Sequence, residues 1–317
     1  MLDVKLTFDP PEAIETQALV TWAFQPIAAG EAEVELSDVI EDLDRWADES
    51  PALPPSEPRL EYALAAFDQR TDGKLQELAA AGELTGKAGE TLLLHHPTSF
   101  RARRLLLLGA GKAEKFCLAD IRQLAGTAAR FLRARGLTEF TFFLRTCPEG
   151  AETGQAVEAA VEGVLLADFD PDRYQTEPKT RKAITSLRVA GCGASQEKAA
   201  AEGIRRGLII GEAQNFAREL VNEPANRLTP RLFAERAVEM ARQAGLEVDV
   251  LDETRLRELK MGAFLSVAQG SEEPPRMVVL TYTPREWKAG KPTLGFVGKG
   301  VTFDSGGISI KPGEGME

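Results

Sequence analysis

Four residues able to do chemistry lie close together in residues 298–317, GKGVTFDSGGISIKPGEGME: Lys299, Asp304, Ser305 and Lys311. Two chemistries are open to them. Ser305 sits in Asp-Ser-Gly-Gly, the letters a serine hydrolase places around its nucleophile. Such a serine needs a general base, most often a histidine oriented by a carboxylate. The only histidines are His95 and His96, adjacent to one another and far upstream. Phe303 also stands where the serine-protease signature carries glycine. Ser305 therefore reads as a small residue in a tight glycine-rich turn. The second chemistry is metal binding. Asp304 is a hard oxygen donor that could bridge two cations, and a lysine stands on either side of it. Gly298, Gly300, Gly306 and Gly307 let the backbone turn sharply and approach a ligand. Taken by itself, one aspartate between two lysines also fits a solvated loop.

The elements that would position these groups follow from pattern. Thr293-Leu-Gly-Phe-Val-Gly298 is rich in β-branched and aromatic residues and reads as a short buried strand. Ligands of open α/β sheets bind outside the carboxyl ends of such strands. Upstream, strand-like and helix-like segments alternate. Residues 103–111, RRLLLLGAG, read as a buried strand running into a turn; residues 118–135 repeat apolar positions at helical spacing; residues 139–144 and 186–191 read as strands around a helix at 156–167. This alternation argues for an α/β layer with a mainly parallel sheet. A long helix is expected over about 196–220. Thr229-Pro230 supplies an N-cap and a first-turn proline, Gly245 a stop, and Asp252 a second cap. Residues 246–251 and 276–282 read as strands, and the Pro-rich stretch 49–58 as a loop. The expected division is an N-terminal α/β domain over 1–190 and a second domain over 191–317, joined by the long helix.

Composition narrows the functions. A net charge of -11 disfavours general affinity for nucleic acid or an anionic membrane. No apolar run is long enough to span a bilayer. The start, MLDVKLTFDPPEAIE, lacks a basic and then apolar leader, so a cytoplasmic protein is expected. Cys117, Cys147 and Cys192 form no C-x-x-C pair, which suits reduced thiols and not a zinc-thiolate site. Gly109-Ala110-Gly111-Lys112 fails the phosphate-loop pattern at both ends, with Leu106 and Ala113 at the positions that decide it.

The segment VGKGVTFDSGGISIKPGEGME closely resembles the central metal-binding segment of the leucyl aminopeptidase (cytosol aminopeptidase) family. ARELVNEPANRLTP, MGAFLSVAQGSEEPPRMVVLTY and VEGVLLADFDPDRY resemble other segments of that family, from about residue 100 onward. The resemblance implies a small, macro-like α/β domain followed by the first part of an α/β metallo-aminopeptidase catalytic domain. It implies release of N-terminal amino acids, often leucine, from peptides, and assembly as a homo-hexamer. It implies two divalent ions, manganese, zinc or magnesium. By that resemblance Lys299 and Asp304 are metal ligands, Asp304 bridging both ions. Lys311 is the catalytic lysine that polarises the scissile carbonyl.

The family's other metal carboxylates, and an arginine in an Asn-Thr-Asp-Ala-Glu-Gly-Arg-like stretch, lie downstream of the matched segment. No such stretch occurs in the 317 residues. The expectation is thus a chain truncated within its catalytic domain, with both ions incompletely ligated and no activity alone. Its second half is expected to leave parallel strands with open edges. The alternatives are a catalytically silent assembly or DNA-binding role, and a serine hydrolase acting through Ser305.

Overall fold

Leu105, Leu106, Leu107 and Leu108 are each no more than 1% exposed, a run that only a strand covered on both faces can bury. They form the heart of β4 (Arg104–Gly109) in a computed structural model that describes residues 2–26, 62–176, 182–288, 290–304 and 310–314. The Pro-rich stretch 49–58 and Ser305, Gly306 and Gly307 lie outside the described residues. The chain divides into two compact units, Met1–Phe216 and Ala217–Glu317.

In the first unit, β1 (Asp3–Leu6), β2 (Leu19–Ala23), β3 (Thr91–His95), β4, β5 (Glu139–Phe143) and β6 (Ser186–Ala190) form one sheet in the order β1-β6-β5-β2-β4-β3. Every pairing is parallel except β3 with β4. Side chains alternate across it. Val20, Trp22, Leu106, Leu108, Phe140 and Phe142 face α3 (Leu118–Arg133) and α4 (Thr153–Asp168). Leu19, Leu105 and Leu107 face α1 (Tyr62–Gln69) and α2 (Lys74–Ala80). The result is a three-layer α/β/α unit. On α3, Ile121, Leu124, Ala125, Ala128 and Leu132 are buried, the stripe its spacing marks out. Helices α3 and α4 approach closely because Gly163 has no side chain: a Cβ there would lie 2.1 Å from the Arg122 carbonyl oxygen. The Arg122 guanidinium also donates to Glu162 at 2.6 Å across the same helix pair.

The expected long helix is α5 (Glu197–Asn222). Most of it, through Phe216, belongs to the first unit, which therefore runs on past the boundary near 190 suggested by sequence. The reason is a stripe of glycines facing α4; a Cβ on Gly203 would meet the Gly154 carbonyl oxygen at 2.2 Å.

In the second unit, α6 (Pro230–Ala244) begins where Thr229 Oγ1 accepts from the Leu232 amide at 3.4 Å and ends at Gly245, φ 71. It buries Ala234, Ala237 and Ala241 and packs against β7 (Glu247–Leu251) and β8 (Met277–Thr281). Asp252 caps α7 (Glu253–Glu258) by accepting from the Arg255 amide at 2.9 Å, and α8 (Gly262–Val267) follows. Two expectations are corrected here. The strands of this unit are antiparallel, not parallel, with Leu251 opposite Met277. Helices α7 and α8, of 6 residues each, lie in the connection between these two strands. Residues 293–298 form no strand. No strand among the described residues pairs with them, and an unpaired strand leaves its backbone N–H and C=O groups to water.

Candidate functional site

Asp304 and Lys311 meet. The Lys311 ammonium donates to Asp304 Oδ2 at 3.1 Å and to the Asp304 carbonyl oxygen at 3.1 Å. One lysine thus spans two oxygens of one residue. The side chains are 50% and 55% exposed, so the pair is screened by water and contributes no more than about 1 kcal/mol. Lys299 is exposed in the irregular stretch before them. With 293–298 not forming a strand, the site does not lie at a strand's carboxyl end, as the pattern suggested. Ser305 falls outside the described residues.

As a metal site the donor chemistry is right and the donor number is not. A carboxylate and a carbonyl are the oxygens a hard cation prefers, but such ions take six or so. Among the described residues no group of three or more His, Cys, Asp or Glu side chains converges. Lys299, Asp304 and Lys311 alone do not hold two ions.

Elsewhere, among the described residues, several titratable groups are held by structural contacts. His95, which ends β3, and His96, with φ 49, are exposed on the first unit. At the carboxyl end of the large sheet a small hollow is lined by Gly89, Glu90, Gly109, Ala110, Asp120 and Gln123. Its acids are engaged: Glu90 accepts from the Thr85 and Gly86 amides, and Asp120 from the Cys117 amide at 2.8 Å. Nearby, Trp22 stacks on Phe142, and the Arg145 guanidinium lies 5.6 Å from the Trp22 ring centre. Gly109–Lys112 is the strand-to-helix turn its failed phosphate-loop pattern suggested, with Gly111 at φ 76. Burial pushes the Cys192 thiol up to about 11, with the nearby Cys147 adding to the rise.

The contact between Lys311 and Asp304 was not legible in sequence. The spacing marked each as a separate functional group, and no periodicity brings residues seven apart in a glycine-rich stretch together.

Two family models match this chain: the cytosol aminopeptidase family N-terminal domain over residues 52–178, and that family's catalytic domain over residues 215–317. A probable cytosol aminopeptidase of Solibacter usitatus is 48% identical over 256 residues, covering 80% of this chain and 52% of that protein. One from Acidobacterium capsulatum is 45% identical over 254 residues, covering 80% of this chain and 50% of that protein. The chain spans about half the length of the curated relatives it matches. Among solved structures, a tomato leucine aminopeptidase mutant superposes with a TM-score of 0.68 at 23% identity, over 88% of this chain and 50% of that one, which speaks to the fold. The bottromycin maturation enzyme BotP in complex with Mn superposes with a TM-score of 0.64 at 27% identity, over 94% of this chain and 50% of that one.

Proposed function

From its membership of the cytosol aminopeptidase family, we propose that this chain carries the first half of a metal-dependent aminopeptidase that releases N-terminal residues, leucine-type ones preferred, from peptides. The observation that carries this reading is the catalytic-domain match over 215–317, which includes Lys299, Asp304 and Lys311. Asp304 and Lys299 are assigned as ligands to divalent ions, manganese or zinc; the manganese in the BotP structure supports that class of metal. Two such ions, when bound, supply Lewis acidity and an acidified water. The chain's own groups do the rest. Lys299 would hold an ion through its side-chain nitrogen. Lys311 keeps its charge and donates to the carbonyl oxygen of the peptide as negative charge develops there; a donor so placed is worth roughly 3–4 kcal/mol of barrier. Neither role needs a histidine.

The remaining ligands belong to the part of the relatives' length that this chain does not span. The two family models leave the division between residues 178 and 215, and the proposed functional division near residue 190 falls in that interval. A homo-hexamer and a cytoplasmic location fit the family and the relatives' name, cytosol aminopeptidase. No helix among the described residues is long and apolar enough to cross a membrane.

Two assays test the reading. The 317-residue chain is expected to release no leucine from a leucyl amide, with or without manganese. Joined in frame to the unmatched half of the Solibacter usitatus relative, it is expected to gain manganese-stimulated release. Release by the chain alone would contradict the incomplete ligand set. A folded hybrid that stays inactive would contradict the peptidase reading.

A further inference from the structure

We propose that the free edge of β3 and the basic hairpin end beside it form a docking site for a short, extended, acidic segment of a partner protein, taken up by strand addition. β3 is the last strand of the large sheet, and no described strand lies on its far side. Its register against β4 fixes which backbone groups face outward. The Gly109 N–H donates to the Glu90 carbonyl and the His96 N–H to the Arg103 carbonyl, both at 2.9 Å. Hydrogen-bonded pairs alternate with unbonded ones along an antiparallel ladder, so Leu92 and Leu94 also bond to β4. Thr91, Leu93 and His95 therefore turn their N–H and C=O groups away from β4. Thr91 and His95 are exposed and Leu93 is half-buried. Such a row of unpaired groups is a template for another strand.

The charge beside this edge selects the guest. No Asp or Glu occurs from Thr91 to Ala113, although the chain carries a net charge of -11. His95, His96, Arg101 and Arg103 are exposed, and their side chains make no ion pair or hydrogen bond among the described residues. His95 stands directly opposite Arg104, a pairing of two cationic residue types that the ladder itself does not favour. Glu12 adjoins the hairpin, its carbonyl accepting from the Arg101 amide at 2.9 Å, but its carboxylate is held by Arg70 at 3.0 Å. The hairpin is a fixed platform. The Arg103 amide donates to the Thr16 carbonyl at 3.1 Å, and Phe100 stacks on Phe67 with ring centres 5.9 Å apart. A strand of 5 residues spans roughly 17 Å, which suits a guest of about five to seven residues with its acids at one end. The net charge of the chain opposes a long polyanion such as a nucleic acid, whereas a short acidic segment meets only the local cluster.

The test is hydrogen exchange of the 317-residue chain, read at single amides, with N-acetylated Thr-Val-Thr-Val-Asp-Glu-Asp as the probe, in that order and reversed. Without peptide, the Thr91, Leu93 and His95 amides are expected to exchange fast, and Leu92 and Leu94 slowly. At saturation, at least one peptide order is expected to slow the first three about tenfold or more. The fully N-methylated peptide, which cannot pair as a strand, and a version with Lys in place of its acids are expected to protect none of them. Arg101→Glu combined with Arg103→Glu, at two exposed positions, is expected to weaken binding about tenfold, with exchange of the α3 and α4 amides unchanged to show that the unit stays folded. Absence of protection by both peptide orders would overturn the proposal. So would equal protection by the N-methylated or the Lys peptide, or equal binding by the charge-reversed chain. Protection of the same amides that grows with protein concentration and needs no peptide would assign the edge to a second copy of this chain. Stronger protection by a single-stranded oligonucleotide than by either peptide would assign the cluster to nucleic acid. Either result would also overturn the proposal.

Discussion

The two units handle similar apolar sequence in opposite ways. In the first, the leucines of β4 are no more than 1% exposed, between strands on both sides and helices on both faces. In the second, Leu294, Phe296 and Val297 are 82%, 93% and 100% exposed. Both stretches carry the composition of a buried strand. What differs is the neighbours. Apolar side chains leave water only where other elements supply a surface to cover them, at roughly 25 cal/mol for each Å² removed. The first unit contains its own covering layers. Among the described residues, the second brings only α6 and the short α7 to a two-stranded sheet, and its described apolar residues from Leu259 to Ile310 stay largely in solvent. Scaffold and chemistry are thus divided among the described residues: the well-covered unit contains none of the candidate groups Lys299, Asp304 and Lys311, and the unit with the Asp304 segment is the less covered.

The sharpest way to break this contrast is a matched pair of truncations. Phe142→Ala, at a fully buried position, is expected to destabilise the first unit by about 3–5 kcal/mol. Phe296→Ala is expected to stay within about 0.5 kcal/mol. Hydrogen exchange of the β4 and β5 amides measures the first, and exchange and thermal melting of the whole chain the second. A large cost for Phe296→Ala would mean that residues 293–298 are packed after all.

Smaller effects refine it. Glu162→Ala strips the partner from Arg122 between α3 and α4 and is expected to cost about 1–3 kcal/mol in the same exchange measurement. Thr229→Ala removes the N-cap of α6 and is expected to cost about 1 kcal/mol, read from exchange of the α6 amides, with the first unit unaffected. The smallest is a pH effect. The Cys192 thiol has a folded value raised to about 11 from 9.0, so the fold favours its protonated form. Its contribution is complete below 9 and is lost as pH rises through 11. The first unit should weaken over that interval. Cys192→Ala should flatten the decline, whereas an unchanged alkaline profile would show that other groups cause it.

Much of the first unit was legible because its signals are local. The Ile121 to Leu132 spacing fixes the inner face of α3; in the second unit, the Thr229-Pro230 cap and the Gly245 stop likewise bracket α6. The buried strand at 103–111 declared itself by four leucines and a glycine turn. The second unit was less legible because its outcomes depend on partners. TLGFVG has strand composition, but pairing requires a neighbour that no residue within it specifies. The antiparallel pairing of β8 with β7 is likewise not written in either strand's own residues. For the candidate site, Lys299, Asp304 and Lys311 are proposed from residue type and family resemblance. The clasp of Lys311 on Asp304 is a feature of the folded segment that neither signal contains.

The central claim is that the chemistry of this chain resides in Asp304 and Lys311 and not in Ser305. The most direct measurement is kcat/KM for manganese-stimulated release from a leucyl amide by the hybrid with the Solibacter usitatus half, in three variants. Asp304→Asn and Lys311→Ala are each expected to lose about 100- to 1,000-fold, the scale of one essential electrostatic group, while Ser305→Ala stays within a few-fold of the parent. Loss of activity in Ser305→Ala, with the other two retained, would contradict the claim outright.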